Sequence, residues 1–165
     1  AKSYRNTVEI SEFAGNILNK CSFETYGIEP VIRHGNPVSV TESKDEQSLI
    51  STTVQAIKDI QSKGYATVAV ICRNEASAKR AFDRLSKKAD VMAYDAENPS
   101  FTKGVMVLPI ELTKGLEFDA VIILDPSAEN YSETDADAKL LYVAATRALH
   151  ELHVIYCGTL SELLT

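Results

Sequence analysis

Four stretches of this chain are apolar almost without interruption: ATVAVIC (66–72), GVMVLPI (104–110), DAVIIL (119–124) and LHVIYC (152–157). A strand with one wet face alternates apolar and polar residues, whereas an unalternated run is buried on both faces. Four such runs therefore demand a sheet covered above and below. The covering elements are visible between them. Thr7 is placed to cap a helix running to about residue 19, with Ile10, Phe13, Ala14, Ile17 and Leu18 on one face. Ser43 is expected to cap a second helix over residues 45–62, where Leu49, Ile50, Val54, Ile57 and Ile60 recur at helical spacing and Gly64 follows as a stop. EASAKRAFDRLSKK (75–88) predicts a third, and residues 135 to about 149 a fourth. Short strands are expected at 38–41 and, at an edge, 91–93. The acidic stretch 127–137 lacks periodicity and reads as a solvated surface loop. Strands alternating with helices define an α/β domain with a largely parallel sheet and helices on both faces.

At 165 residues the chain suits one domain with a sizeable core. A net charge of −6 weighs against gripping nucleic acid by bulk electrostatics, but leaves room for a local phosphate-contacting edge. Cys21, Cys72 and Cys157 are odd in number and share no ligand spacing; Cys72 and Cys157 lie in apolar strand-like runs and read as reduced core thiols of a cytoplasmic protein. His34, His150 and His153 pair with no cysteine or carboxylate at ligand spacing, and no structural metal is expected. No apolar run approaches membrane-spanning length, and no secretory leader opens the sequence.

The phosphate-cradling loop G-x-x-x-x-G-K-[ST] is absent from the chain. The acidic box imitated by KDEQ (44–47) falls in the first turn of a helix, where carboxylates complement the dipole. Asp125 resembles a magnesium-binding acid in position only. Three other segments carry polar groups against apolar ones. In LLYVAATRALHEL (140–152), Arg147 lies in a helix apolar almost all round; a guanidinium there needs a partner, either an internal carboxylate or a phosphate from outside. KSYRNT (2–7) sets Tyr4 and Arg5 before a capped helix, where anions are favoured. LTKGLEF (112–118) is a polar elbow at the mouth of a buried strand.

SYRNT, TKGLEFDAV and LLYVAATRA, in that order, resemble motifs IV, V and VI of the second RecA-like domain of superfamily 1 DNA helicases of the UvrD/Rep/PcrA group. The motifs span residues 3–148, and the resemblance therefore implies one C-terminal RecA-like helicase domain over residues 1–165, cut from a longer protein and lacking its own P-loop. The short spacer between motifs IV and V is closer to the helicase IV, or HelD-like, branch. That branch implies association with RNA polymerase, besides an N-terminal RecA-like domain and single-stranded DNA as partners.

The resemblance implies ATP with Mg2+, the metal ligands lying on the missing N-terminal domain. Arg5 and Arg147 would approach the γ-phosphate and act catalytically; Tyr4 would stack on the adenine and Glu117 bind the ribose. Lys114 and Gly115 would link nucleotide state to the nucleic-acid track, near Glu111 and Thr113. The group usually has Thr and His where this chain has Pro109 and Glu111, and a carboxylate at 111 repels phosphate. Three functions follow: the C-terminal motor half of an ATP-driven DNA helicase or translocase, inactive in isolation; a motor that remodels a protein partner; or a helicase-like scaffold without catalysis.

Overall fold

The computed structural model describes residues 6–21, 33–95, 97 and 103–165. The apolar runs form the centre of a six-stranded sheet in which every paired strand is parallel. In chain order the elements are α1 (Val8–Asn19), β1 (Ser39–Ser43), α2 (Glu46–Ser62), β2 (Thr67–Cys72), α3 (Glu75–Leu85), β3 (Met92–Ala93), β4 (Gly104–Pro109), β5 (Phe118–Leu124), α4 (Asp135–Thr146) and β6 (Ala148–Cys157). The strand order is β1-β6-β5-β2-β4-β3.

Period-two geometry divides each central strand between two cores. Ala69 and Ile71 of β2, with Val121 and Ile123 of β5, face α1 and α4. Val68, Val70 and Cys72, with Ala120, Ile122 and Leu124, face α2 and α3. This is the three-layer α/β architecture that the unalternated runs demanded. Burial raises the Cys72 thiol to about 12, so it behaves as a small apolar side chain. Among the described residues no helix is long and apolar enough to cross a membrane.

Helix starts follow capping chemistry. Thr7 accepts from the Ile10 amide, and Thr134 from the Asp137 amide. Asp45, not Ser43, caps α2 by accepting from Ser48. Ser43 is instead the buried last residue of β1.

One further expectation is corrected and another is refined. The fourth helix stops at Thr146, not near residue 149, and β6 starts at Ala148. Leu149 and Leu152 prolong the helical spacing in sequence, but pairing with β5 prevails: the Phe118 amide donates to the Arg147 carbonyl at 2.9 Å and opens the ladder. The register then shifts between Phe118 and Ala120, which accommodates one extra residue in β6.

The acidic stretch before α4 is largely exposed, as expected, but it is also anchored at three points. Ser127, Tyr131 and Asp137 in it are buried, Tyr131 being 1% exposed. The Arg73 guanidinium lies 4.9 Å from the Tyr131 ring centroid and donates to Asp137 at 3.0 Å. Asp137 also accepts from the Ser132 amide at 2.7 Å. These contacts tie the segment to the end of β2 and fix where α4 begins.

Candidate functional site

Beyond β4 the chain turns sharply over residues 110–117 before entering β5. Thr113 closes the turn: its amide and hydroxyl both donate to the Ile110 carbonyl, at 2.9 and 2.6 Å. The Leu116 amide then donates to the Thr113 carbonyl at 2.9 Å. Thr113 is fully buried, so its hydroxyl shapes the elbow and faces no solvent. Gly115 has φ +78°, a conformation that disfavours any Cβ although open space surrounds it. Glu111, Lys114 and Glu117 are exposed, and Leu112 with 39% exposure is among the few exposed large apolar side chains. Thr113 and Leu116 thus anchor a turn that displays the charged residues on its outer side.

Arg147 is the C-cap of α4, standing at the corner where the helix becomes a strand. Its Nε donates to the Val143 carbonyl at 3.1 Å, Nη1 to the Leu116 carbonyl at 3.4 Å and Nη2 to the Thr146 hydroxyl at 3.3 Å. No carboxylate is among these acceptors, and the ion pairs formed by the described residues do not include Arg147. A cation at a helix C-terminus is stabilised by the dipole and by carbonyls lacking intrahelical partners. Three of the five guanidinium N–H donors are used in these bonds. The half-buried group is therefore held in place without being neutralised.

The elbow and Arg147 are joined twice, by the side-chain contact to Leu116 and by the backbone bond from Phe118. Glu117 lies between those two anchored residues. The structure thus brings Lys114, Gly115, Glu117 and Arg147 together around one corner of the sheet. Tyr4 and Arg5 lie outside the described residues.

Asn6, which stands in the SYRNT segment but has no role assigned to it from sequence, belongs to the same corner. Its side-chain amide donates to the Thr146 carbonyl at 3.1 Å and to the Ala148 carbonyl, the residues on either side of Arg147. Arg73, directly following a buried strand, was the other unrecognised residue; an arginine at the mouth of an apolar run is the signal that could have found it.

At the opposite ends of the strands, a cleft of about 220 Å³ is lined by Cys72, Arg73, Asn74, Arg80, Arg84, Glu46 and Asp125, among others. Its charges largely answer one another. Glu46 pairs with Arg84 and, more distantly, Arg80, while Arg73 is engaged by Asp137. Asp125, with φ 56°, accepts from the Cys157 amide and the Asn130 side chain. Burial nevertheless raises its carboxyl above the ordinary range. It joins the ends of two strands. Among the described residues no three His, Cys, Asp or Glu side chains gather as a metal site.

The fold that carries this corner, a parallel sheet with helices on both faces, is shared with a solved helicase C-terminal domain. The structure resembles the crystal structure of the C-terminal domain of a possible DNA helicase from Lactobacillus plantarum WCFS1, with a TM-score of 0.82 and 32% identity, covering 99% of this chain and 92% of that one. The model of the UvrD-like helicase C-terminal domain matches residues 104–155, which contain both the elbow and Arg147. No protein of curated function matches the sequence. The chain belongs to the UvrD-like helicase C-terminal domain family.

Proposed function

We propose that this domain is the C-terminal half of the motor of an ATP-dependent DNA helicase. It completes an ATP site held by an N-terminal RecA-like domain and couples hydrolysis to movement along single-stranded DNA. The observation that carries this reading is Arg147: a half-buried guanidinium fixed by carbonyl and hydroxyl oxygens, with no carboxylate among its hydrogen-bond partners. Phosphoryl transfer is dominated by positioning and electrostatics, and an arginine brought to the transferring phosphate is worth roughly 10³–10⁵ in rate. Such an arginine must be rigid before the phosphate arrives and must not already be neutralised. Arg147 meets both conditions.

Arg5 is the second arginine of the reading and precedes the anchored Asn6 by one residue. Tyr4 supplies a face for the base and Glu117 an acceptor for the ribose. Lys114 and Gly115 carry changes at the phosphate to the elbow, because Leu116 is bonded to Arg147. Mg2+ bound with ATP neutralises phosphate charge, and its ligands belong to the N-terminal domain. Glu111 is exposed on the elbow and, as a carboxylate, makes that face a poor phosphate contact. Neither the geometry nor the comparisons point to RNA polymerase as a partner.

The test compares this chain alone with the full-length protein. The isolated chain is expected to show no ATP turnover that survives repurification, because it lacks a P-loop. The full-length protein is expected to hydrolyse ATP faster when single-stranded DNA is added, with DNA affinity falling as salt rises. Turnover by the isolated chain, or a full-length protein indifferent to DNA, refutes the reading.

A further inference from the structure

We propose that Asn6 is a positioning residue for Arg147, locking the N-terminal segment and the α4–β6 corner into one unit. This inference rests on the nucleotide-site reading above. Asn6 is 1% exposed, and its amide nitrogen serves both the Thr146 and the Ala148 carbonyls. These acceptors are 140 and 142 residues away in sequence, so the contact is purely tertiary. The two carbonyls bracket Arg147, and the one between them accepts from the Phe118 amide. Three successive carbonyls at the corner are therefore held from two directions. Rotation of the Arg147 backbone requires breaking one of these bonds.

The chemistry specifies an amide at this position. A carboxamide nitrogen carries two hydrogens in one plane and can serve two acceptors at once. A serine hydroxyl has one hydrogen, and an aspartate carboxylate has none and would set a charge against two carbonyl oxygens. Thr146 is in the last turn of α4, where a carbonyl lacks an intrahelical partner, so Asn6 also caps that helix from a distance. On its other side Asn6 is followed by Thr7, the buried N-cap of α1. The Val8 amide donates to the Arg33 carbonyl, and α1 packs on α4. The clip therefore has a rigid base.

The test is a double-mutant cycle in the full-length protein, using ATP and single-stranded DNA and reading kcat and KM separately. Asn6→Ala is expected to lower kcat by about 10- to 100-fold, the cost of displacing a catalytic group by around an ångström, while KM for ATP changes by less than about threefold. Asn6→Ser, a milder change, is expected to lie between Asn6→Ala and wild type and serves if the alanine variant fails to fold. In the Arg147→Ala background the Asn6→Ala change is expected to alter kcat by less than about twofold, because a positioning effect vanishes with the group positioned.

Losses that multiply in the double variant, or an unchanged kcat in the Asn6 variants, overturn the positioning role while leaving the nucleotide-site reading intact. Wild-type kcat in Arg147→Ala alone overturns that reading, and the Asn6 inference with it.

Discussion

Replacing Asp137 by alanine removes two side-chain contacts that fix the start of α4, while the Thr134 cap remains. Asp137 is 8% exposed, and its carboxylate accepts from Arg73 Nη2 at 3.0 Å and from the Ser132 amide at 2.7 Å. It also occupies the first turn of a helix, where a negative charge is favoured. Hydrogen bonds to a charged group contribute roughly 1.5–3 kcal/mol each, and the dipole about 0.3–1 kcal/mol. Arg73 keeps about a third of its side-chain surface in water, so its share belongs at the low end. The expected loss is about 3 kcal/mol in Asp137→Ala, which for a chain of this size lowers Tm by roughly 6–12 °C. Arg73→Ala is expected to lose less, about 2 kcal/mol, because Asp137 retains the Ser132 amide. The double variant is expected to show a coupling of about 1–2 kcal/mol between the two. Urea denaturation followed by circular dichroism measures all three. A loss below about 1 kcal/mol in Asp137→Ala, or strict additivity, refutes the claim that this pair anchors the segment.

Two further outcomes are expected. A Cβ at residue 35 would lie 2.6 Å from Thr7 Cγ2, and buried Thr7 cannot retreat without giving up its cap; Gly35→Ala should therefore cost about 1–2 kcal/mol in denaturation, and a neutral result contradicts the packing. Burial alone would raise the Glu151 carboxyl, but hydrogen bonds from Lys63, His153 and Asn36 outweigh it and hold the group below its ordinary 4.5. The unfolded chain thus takes up this proton first as pH falls, and the Glu151 contribution is complete above about pH 4.5 and lost below it. Glu151→Gln should cost about 1–2 kcal/mol at pH 7, a difference that shrinks in titrations toward pH 3; a pH-independent difference contradicts the assignment.

The two-sided burial of β2, β4 and β5 was legible because each run is apolar on both faces, a pattern independent of distant partners. The end of α4 was not. Leu149 and Leu152 fit a continuing helix, and only pairing with Phe118 of β5 assigns them to a strand. The anchored stretch before α4 was hidden for a related reason. Tyr131 and Asp137 are surrounded in sequence by exposed acidic residues, and the guanidinium that buries them comes from Arg73 at the end of another strand. Arg147 could be singled out as a cation within apolar surroundings, yet its place at a corner depends on that same strand pairing. Asn6 lies in the SYRNT segment, but its positioning role could not be read there, since the carbonyls it serves at Thr146 and Ala148 lie at the far end of the chain.

ATP turnover by the full-length protein carrying Arg147→Ala tests the account at its centre. If the fixed guanidinium serves the transferring phosphate as proposed, kcat falls by at least about 10²-fold, with circular dichroism and nucleotide binding retained. Turnover at the wild-type rate in that variant would contradict it.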